Sequence, residues 1–103
     1  MQFKDKIVVV TGAGRGIGQE IARAFAEGGA KVALISRSES RCGGAAEEIN
    51  KSHPGSCSAY PVDVSSHDAV LETAKRIAAE LGAVNILVNN AGVTRDGLLM
   101  RMK

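Results

Sequence analysis

Residues 8–18 read VVVTGAGRGIG, and the architecture of the chain follows from them. Val8, Val9 and Val10 form a β-branched run suited to a strand covered on both faces, as in a parallel sheet. Gly12, Gly14, Gly16 and Gly18 come directly after it. Lacking a Cβ, glycine lets a chain turn sharply and brings backbone N–H groups close to a ligand. Ile17, Ile21 and Phe25 then recur every four residues, the spacing of one helical face, which predicts a helix over Arg15–Glu27. The N–H groups of its first turn have no partner within the helix, and the helix dipole favours an anion in front of them. The turn therefore predicts a phosphate site.

The same alternation runs through the rest of the chain. Strands are expected at Lys6–Val10, Lys31–Ile35 (KVALI), Ser58–Val62 and Asn85–Val88 (NILV). Between them, Gly28-Gly29 stops the first helix, and Ser38–Lys51 reads as a second helix weakened by Gly43-Gly44. A Pro/Gly-containing loop follows over Ser52–Ser56. Ser65 or Ser66 can cap a third helix whose apolar stripe is Val70, Ala74, Ile77 and Leu81, with Gly82 closing it. Strands separated by helices, with no room for hairpins, require right-handed crossovers and hence a doubly wound parallel α/β sheet. In that fold ligands bind at the carboxyl ends of the strands. Gly12, Ser36-Arg37, Asp63-Val64 and Asn89-Asn90-Ala91-Gly92 all fall there.

Composition narrows the function. The 103 residues suffice for one small domain, and 45% hydrophobic with 23% charged residues is a globular balance rather than a disordered one. A net charge of +2, without a basic run or an aromatic platform, argues against nucleic acid. Cys42 and Cys57 form no CxxC pair, and His53 and His67 stand in loop-like surroundings, so no metal site is expected. The opening MQFKDK lacks an apolar signal core, and no run approaches a membrane span. A cytoplasmic protein is expected, or an organellar one if a targeting segment has been removed.

The glycine pattern is T-G-x-x-x-G-x-G, with Thr11, Gly12, Gly16 and Gly18 in place, rather than GxGxxG. In this pattern, in Asp63-Val64 and in the NNAG of residues 89–92, the chain resembles the short-chain dehydrogenase/reductase family. The resemblance extends over essentially all 103 residues, which correspond to the first half, or somewhat less, of a usual member. It implies the N-terminal part of a Rossmann domain that holds NAD(P). The implied cofactor contacts are Gly12, Gly14, Arg15, Gly16, Ile17, Gly18, Ser36, Arg37, Asp63, Val64, Asn90, Ala91 and Gly92. Asp63 would meet the adenine amino group and Val64 the ring. The NNAG asparagines would tie strand ends together while Ala91 and Gly92 leave space for the ribose.

The end of the second strand selects between the two nicotinamide cofactors. Dinucleotide-binding folds place an acidic residue there, about 20 residues beyond the glycines, to hold the ribose 2′-hydroxyl. Here Ser36 occupies that place and Arg37 follows. No carboxylate opposes a 2′-phosphate, and Arg37, with Arg15, can donate charged hydrogen bonds to one. NADP(H) is the expected cofactor. In the alternative, Arg37 is solvated and Glu39 reaches the ribose.

Reduction of a carbonyl also needs a group that protonates the developing alkoxide. The resemblance implies a Tyr-x-x-x-Lys pair and a serine for this, but the only tyrosine is Tyr60 and Val64 stands four residues on. The catalytic half is thus expected to lie outside these residues, and the chain alone to be inactive. The NILV strand is expected to expose an apolar sheet edge that favours association, with a complementary C-terminal half or in a homo-oligomer.

The tail Gly92–Lys103, GVTRDGLLMRMK, is similar to that of 3-oxoacyl-(acyl-carrier-protein) reductases of fatty-acid synthesis. That resemblance implies NADPH-dependent reduction of a carrier-bound 3-oxoacyl thioester by a homotetramer. Arg95, Arg101 and Lys103 would suit an acidic carrier protein. Equally, the tail can be the start of a fourth helix, amphipathic, with Leu98, Leu99 and Met102 packed inward. Another short-chain carbonyl or alcohol oxidoreductase, or a non-catalytic nucleotide-binding or assembly module, are the alternatives.

Overall fold

A computed structural model of the chain describes residues 2–12, 16–89 and 100–102. The elements are β1 (Ile7–Thr11), α1 (Gly16–Glu27), β2 (Lys31–Ser36), α2 (Glu39–Ser52), β3 (Cys57–Pro61), α3 (His67–Glu80), β4 (Ile86–Asn89) and β5 (Met100–Met102). Strand order across the sheet is β3-β2-β1-β4-β5. The first four strands are parallel, with Val9 opposite Ala33 and Leu87, and Ala33 opposite Ser58. This is the expected doubly wound arrangement. It places β1 at the centre, between neighbours that come from opposite ends of the sequence.

Period-two alternation sends successive strand residues to opposite faces. Val8, Val10, Val32, Leu34, Ile86 and Val88 enter one core with Ala22, Phe25 and Ala26 of α1 and Cys42, Ala45, Ala46 and Ile49 of α2. Val9, Ala33 and Ile35 enter a smaller core with Tyr60, Val62 and Ile77, the last from α3. Full burial of each Val or Leu side chain contributes about 1.5–3 kcal/mol. Ser38 caps α2 by accepting from the Arg41 N–H, and Ser66 caps α3 by accepting from the Ala69 N–H. α2 runs unbroken through Gly43 and Gly44, because its cap and its buried residues at 42, 45, 46 and 49 outweigh the low helix propensity of two glycines.

Two helical stripes differ from expectation. In α1 the buried residues are Gly18, Ala22, Phe25 and Ala26, whereas Ile17 is 70% exposed. Steps of four residues overshoot a full turn by about 40°, so the run Ile17-Ile21-Phe25 drifts off the inward face as it is followed back toward the glycines. In α3 only Thr73 and Ile77 are buried, leaving Val70 and Ala74 exposed. At the far edge, residues 100–102 form a strand antiparallel to β4, with Met102 opposite Ile86 and Met100 opposite Val88. The start of a fourth helix expected over this tail is replaced there by β5, and the β4 edge expected to be open is paired. The unpaired backbone groups of a parallel edge strand offer a ladder of hydrogen bonds, and three residues cannot gain as many by forming less than one helical turn.

Candidate functional site

The carboxyl ends of β1, β2 and β3 converge on one side of the sheet. β1 ends at Thr11, whose hydroxyl donates to Asn89 Oδ1 at 3.0 Å and so joins the ends of β1 and β4. Asn89 thus makes the strand-end tie expected of the asparagine pair. Beyond Thr11 the chain turns with Gly12 at φ 63°, and it enters α1 with Gly16 at φ 63°. Both values lie in the left-handed region that a Cβ disfavours. Among the described residues, its chain neighbours and own helix backbone aside, no heavy atom lies within 4 Å of where a Gly16 Cβ would stand, so the constraint they show on Gly16 is its backbone conformation. Gly18, two residues further, is buried.

A cleft of about 400 Å³ opens beside this turn, lined by Gly12, Ile35, Ser36, Arg37, Val62, Asp63, Val64 and Ser65. It is built by three strand ends. Ser36 closes β2, and its hydroxyl donates to the Ser38 carbonyl at 2.8 Å, shaping the turn that carries Arg37 into α2. Arg37 is exposed on that turn. Glu39, the alternative ribose partner, does not line the cleft; it is the first residue of α2. After β3, Asp63 Oδ1 accepts from the Ser65 hydroxyl at 2.7 Å and from the Ser65 N–H at 3.0 Å. The Ser65 hydroxyl, then its N–H, hold the Asp63 carboxyl below the usual carboxylate range, and the Arg37 guanidinium acts in the same direction. The cleft lining therefore combines a cation, Arg37, an anionic acceptor, Asp63, and apolar Ile35, Val62 and Val64.

Of the expected contacts, the structure brings Gly12, Ser36, Arg37, Asp63 and Val64 together around this cleft. Gly16 and the exposed Ile17 stand at the start of α1. Gly14, Arg15, Asn90, Ala91 and Gly92 lie outside the described residues. Ile35, Val62 and Ser65 line the cleft without having been singled out as contacts; each adjoins in sequence a residue that was.

Behind the same wall lies a second, more apolar hollow of about 380 Å³ between α3 and the sheet, which includes Val9, Thr11, Val70, Thr73, Leu87 and Asn89. It shares Ile35, Val62 and Val64 with the first.

Other reactive groups are held in packing roles. The Tyr60 hydroxyl donates to Glu80 Oε1 at 2.6 Å, with the Arg76 guanidinium 5.2 Å from the ring centroid. Burial, and then the Glu80 carboxylate, push the phenol up to about 12. Cys42 and Cys57 are free and buried, and burial raises the Cys57 thiol above its ordinary value. Among the described residues there is no group of three His, Cys, Asp or Glu able to hold a metal ion, and no helix long and apolar enough to cross a membrane.

A parallel sheet in this order, with a glycine turn at the central strand and a cleft over the strand ends, defines a nucleotide-binding α/β protein of Rossmann type. Its family is established by comparison: the family model of short chain dehydrogenases matches residues 6–103, and the chain belongs to the short-chain dehydrogenase/reductase family. It is 47% identical over 103 residues to the 3-oxoacyl-(acyl-carrier-protein) reductase FabG of Escherichia coli (strain K12), covering 100% of this chain and 41% of that protein. A metagenomic short-chain oxidoreductase in complex with NADP superposes with TM-score 0.84 at 36% identity, covering 90% of this chain and 42% of the other. The L-sorbose reductase of Gluconobacter frateurii, complexed with NADPH and L-sorbose, gives TM-score 0.83 at 33% identity, covering 90% and 36%. The chain thus spans about two fifths of the length of the relatives it matches.

Proposed function

We propose that these residues form the NADP(H)-binding portion of a 3-oxoacyl-(acyl-carrier-protein) reductase, with carbonyl reduction carried out by a longer protein acting in the cytoplasm. The observation that carries the cofactor reading is the cleft wall formed by Ser36 and Arg37, a guanidinium beside a neutral hydroxyl where a carboxylate would repel a 2′-phosphate. The donor set fits the group. Arg37 would take the 2′-phosphate, Asp63 would accept from the adenine amino group, and Val64 would lie against the base. The N–H groups at the start of α1 and the glycines of the turn, Gly14 included, would meet the pyrophosphate, and Arg15 would supply a second cation to the 2′-phosphate. Asn90, Ala91 and Gly92 would border the ribose, and Ile17 would cover part of the cofactor with its exposed side chain. When bound, NADPH supplies the hydride.

Proton delivery to the alkoxide is not assigned to any residue here. Tyr60 is the only tyrosine, and its hydroxyl is already donated to Glu80. We assign acid–base catalysis, the acyl site and the contacts of any tetramer to residues outside this chain. The 47% identity to FabG supports the acyl-carrier-protein substrate over other carbonyl compounds. The fold match to a sorbose reductase keeps a different short-chain reductase as the second reading.

The test is a titration of the 103-residue chain with NADPH and with NADH at low salt, followed by cofactor fluorescence. One charge-assisted hydrogen bond contributes about 1.5–3 kcal/mol, so NADPH should bind at least about tenfold tighter, and Arg37→Ala should abolish that preference. Equal affinities for the two cofactors would remove the NADP(H) assignment.

A further inference from the structure

Asp63 sits on an exposed loop, where a lone carboxylate would sample several rotamers and meet a base poorly oriented. Two hydrogen bonds fix it. Both come from Ser65, and both fall on the same oxygen, Oδ1, at 2.7 Å from the hydroxyl and 3.0 Å from the N–H. Ser65 itself lines the cleft together with Asp63, Val64 and Arg37. The Ser66 N–H in turn donates to the Asp63 carbonyl at 3.0 Å, so the loop backbone is closed on itself before α3 begins. From this geometry we infer that Ser65 is a positioning residue for adenine recognition: by occupying Oδ1 it orients the Asp63 carboxylate so that Oδ2 meets the 6-amino group of a purine in the cleft.

The inference rests on the cofactor reading above and adds a residue to it. Its physical content is preorganisation, since an acceptor already held in its bound rotamer loses less freedom when the base arrives. The chemistry also gives a selectivity. An adenine presents an N–H donor at position 6, whereas hypoxanthine presents an oxo group that a fixed carboxylate oxygen repels. A Ser65 that merely closed the loop would affect stability and leave that selectivity untouched.

The experiment measures equilibrium binding of NADPH and of its hypoxanthine analogue to the chain, in wild type, Ser65→Ala, Ser65→Thr and Asp63→Ala. Circular dichroism confirms folding of each. Wild type should prefer NADPH by roughly tenfold or more, the size expected of a hydrogen bond to a charged acceptor. Ser65→Ala should lower the preference at least about threefold, Ser65→Thr should restore it because the hydroxyl is kept, and Asp63→Ala should abolish it. A preference unchanged in a folded Ser65→Ala chain overturns the role of Ser65 while leaving the cofactor reading in place. Wild-type binding of both nucleotides with equal affinity overturns the Asp63 contact and the positioning role with it. Failure of wild type to bind either overturns the cofactor reading for this chain, and this inference falls with it.

Discussion

On one face of the sheet α1 and α2 lie over Val8, Val10, Val32 and Leu34, and each helix buries four residues. On the other face α3 is the one helix among the described residues over Val9, Ala33 and Ile35, and it buries two. The first face is closed by what these residues contain. The second retains the apolar hollow of about 380 Å³ beside α3, and its helix is secured chiefly at its C-terminal end, by Ile77, the Tyr60–Glu80 hydrogen bond and the Arg76 stack. The contrast teaches that stability and binding are unevenly shared. The helices that bury most hold the sheet together, while the lightly packed side borders the wall of the cleft through Ile35, Val62 and Val64.

Three sets of substitutions can break or sharpen this contrast. The largest effect is expected from paired truncations read by urea denaturation. Leu34→Ala, in the closed core, should destabilise by about 3–5 kcal/mol, and Ile77→Ala, beside the hollow, by only about 2 kcal/mol. Equal losses would mean that the two faces are packed alike. Next is Tyr60→Phe, which removes the hydrogen bond to Glu80 and should cost about 1 kcal/mol.

The same residue has a pH signature. Because the folded phenol is raised to about 12, its contribution is fully present below the ordinary tyrosine value and is lost as pH rises from about 10 through 12. Wild type should therefore lose stability across that window more steeply than Tyr60→Phe. Parallel slopes would show that the phenol is not held by its pocket. The smallest effect is expected at Leu71, 49% exposed on α3: Leu71→Ser should change stability by no more than about 0.5 kcal/mol. A larger loss would show that this surface of α3 is packed after all.

Much of this was legible in the sequence because the signals were local. The β-branched run at 8–10 and the apolar run at 31–35 found their strands, and the serine caps found the starts of α2 and α3. Thr11 and Ser36 belong to strands rather than to turns because each finds a partner in register, Thr11 with Ile35 and Asn89, and Ser36 with Pro61. Pairing of that kind depends on residues far away in sequence and leaves no local mark. The tail shows the same limit more sharply. Leu98, Leu99 and Met102 carry a helical spacing, yet residues 100–102 pair with β4. At the site, Arg37 and Asp63 could be named from their strand-end positions. The hold of Ser65 on Asp63 depends on the path of a loop, so a serine there read only as a helix cap.

The paired hydrogen bonds between Ile7, at the start of β1, and Asn85, just before β4, bear on how the chain comes off the ribosome. The Ile7 N–H donates to Asn85 Oδ1, and the Asn85 N–H donates to the Ile7 carbonyl, each at 2.8 Å, between residues 78 positions apart. At about 5–20 residues per second, roughly 4–16 s of synthesis separate the two partners. Over the last 24 residues of that interval, once Pro61 has been added, β1, β2 and β3 can assemble with one side of β1 still open. The centre of the finished sheet is thus, for about 1–5 s of synthesis, its edge, open to pairing with a neighbouring nascent chain until Asn85 emerges.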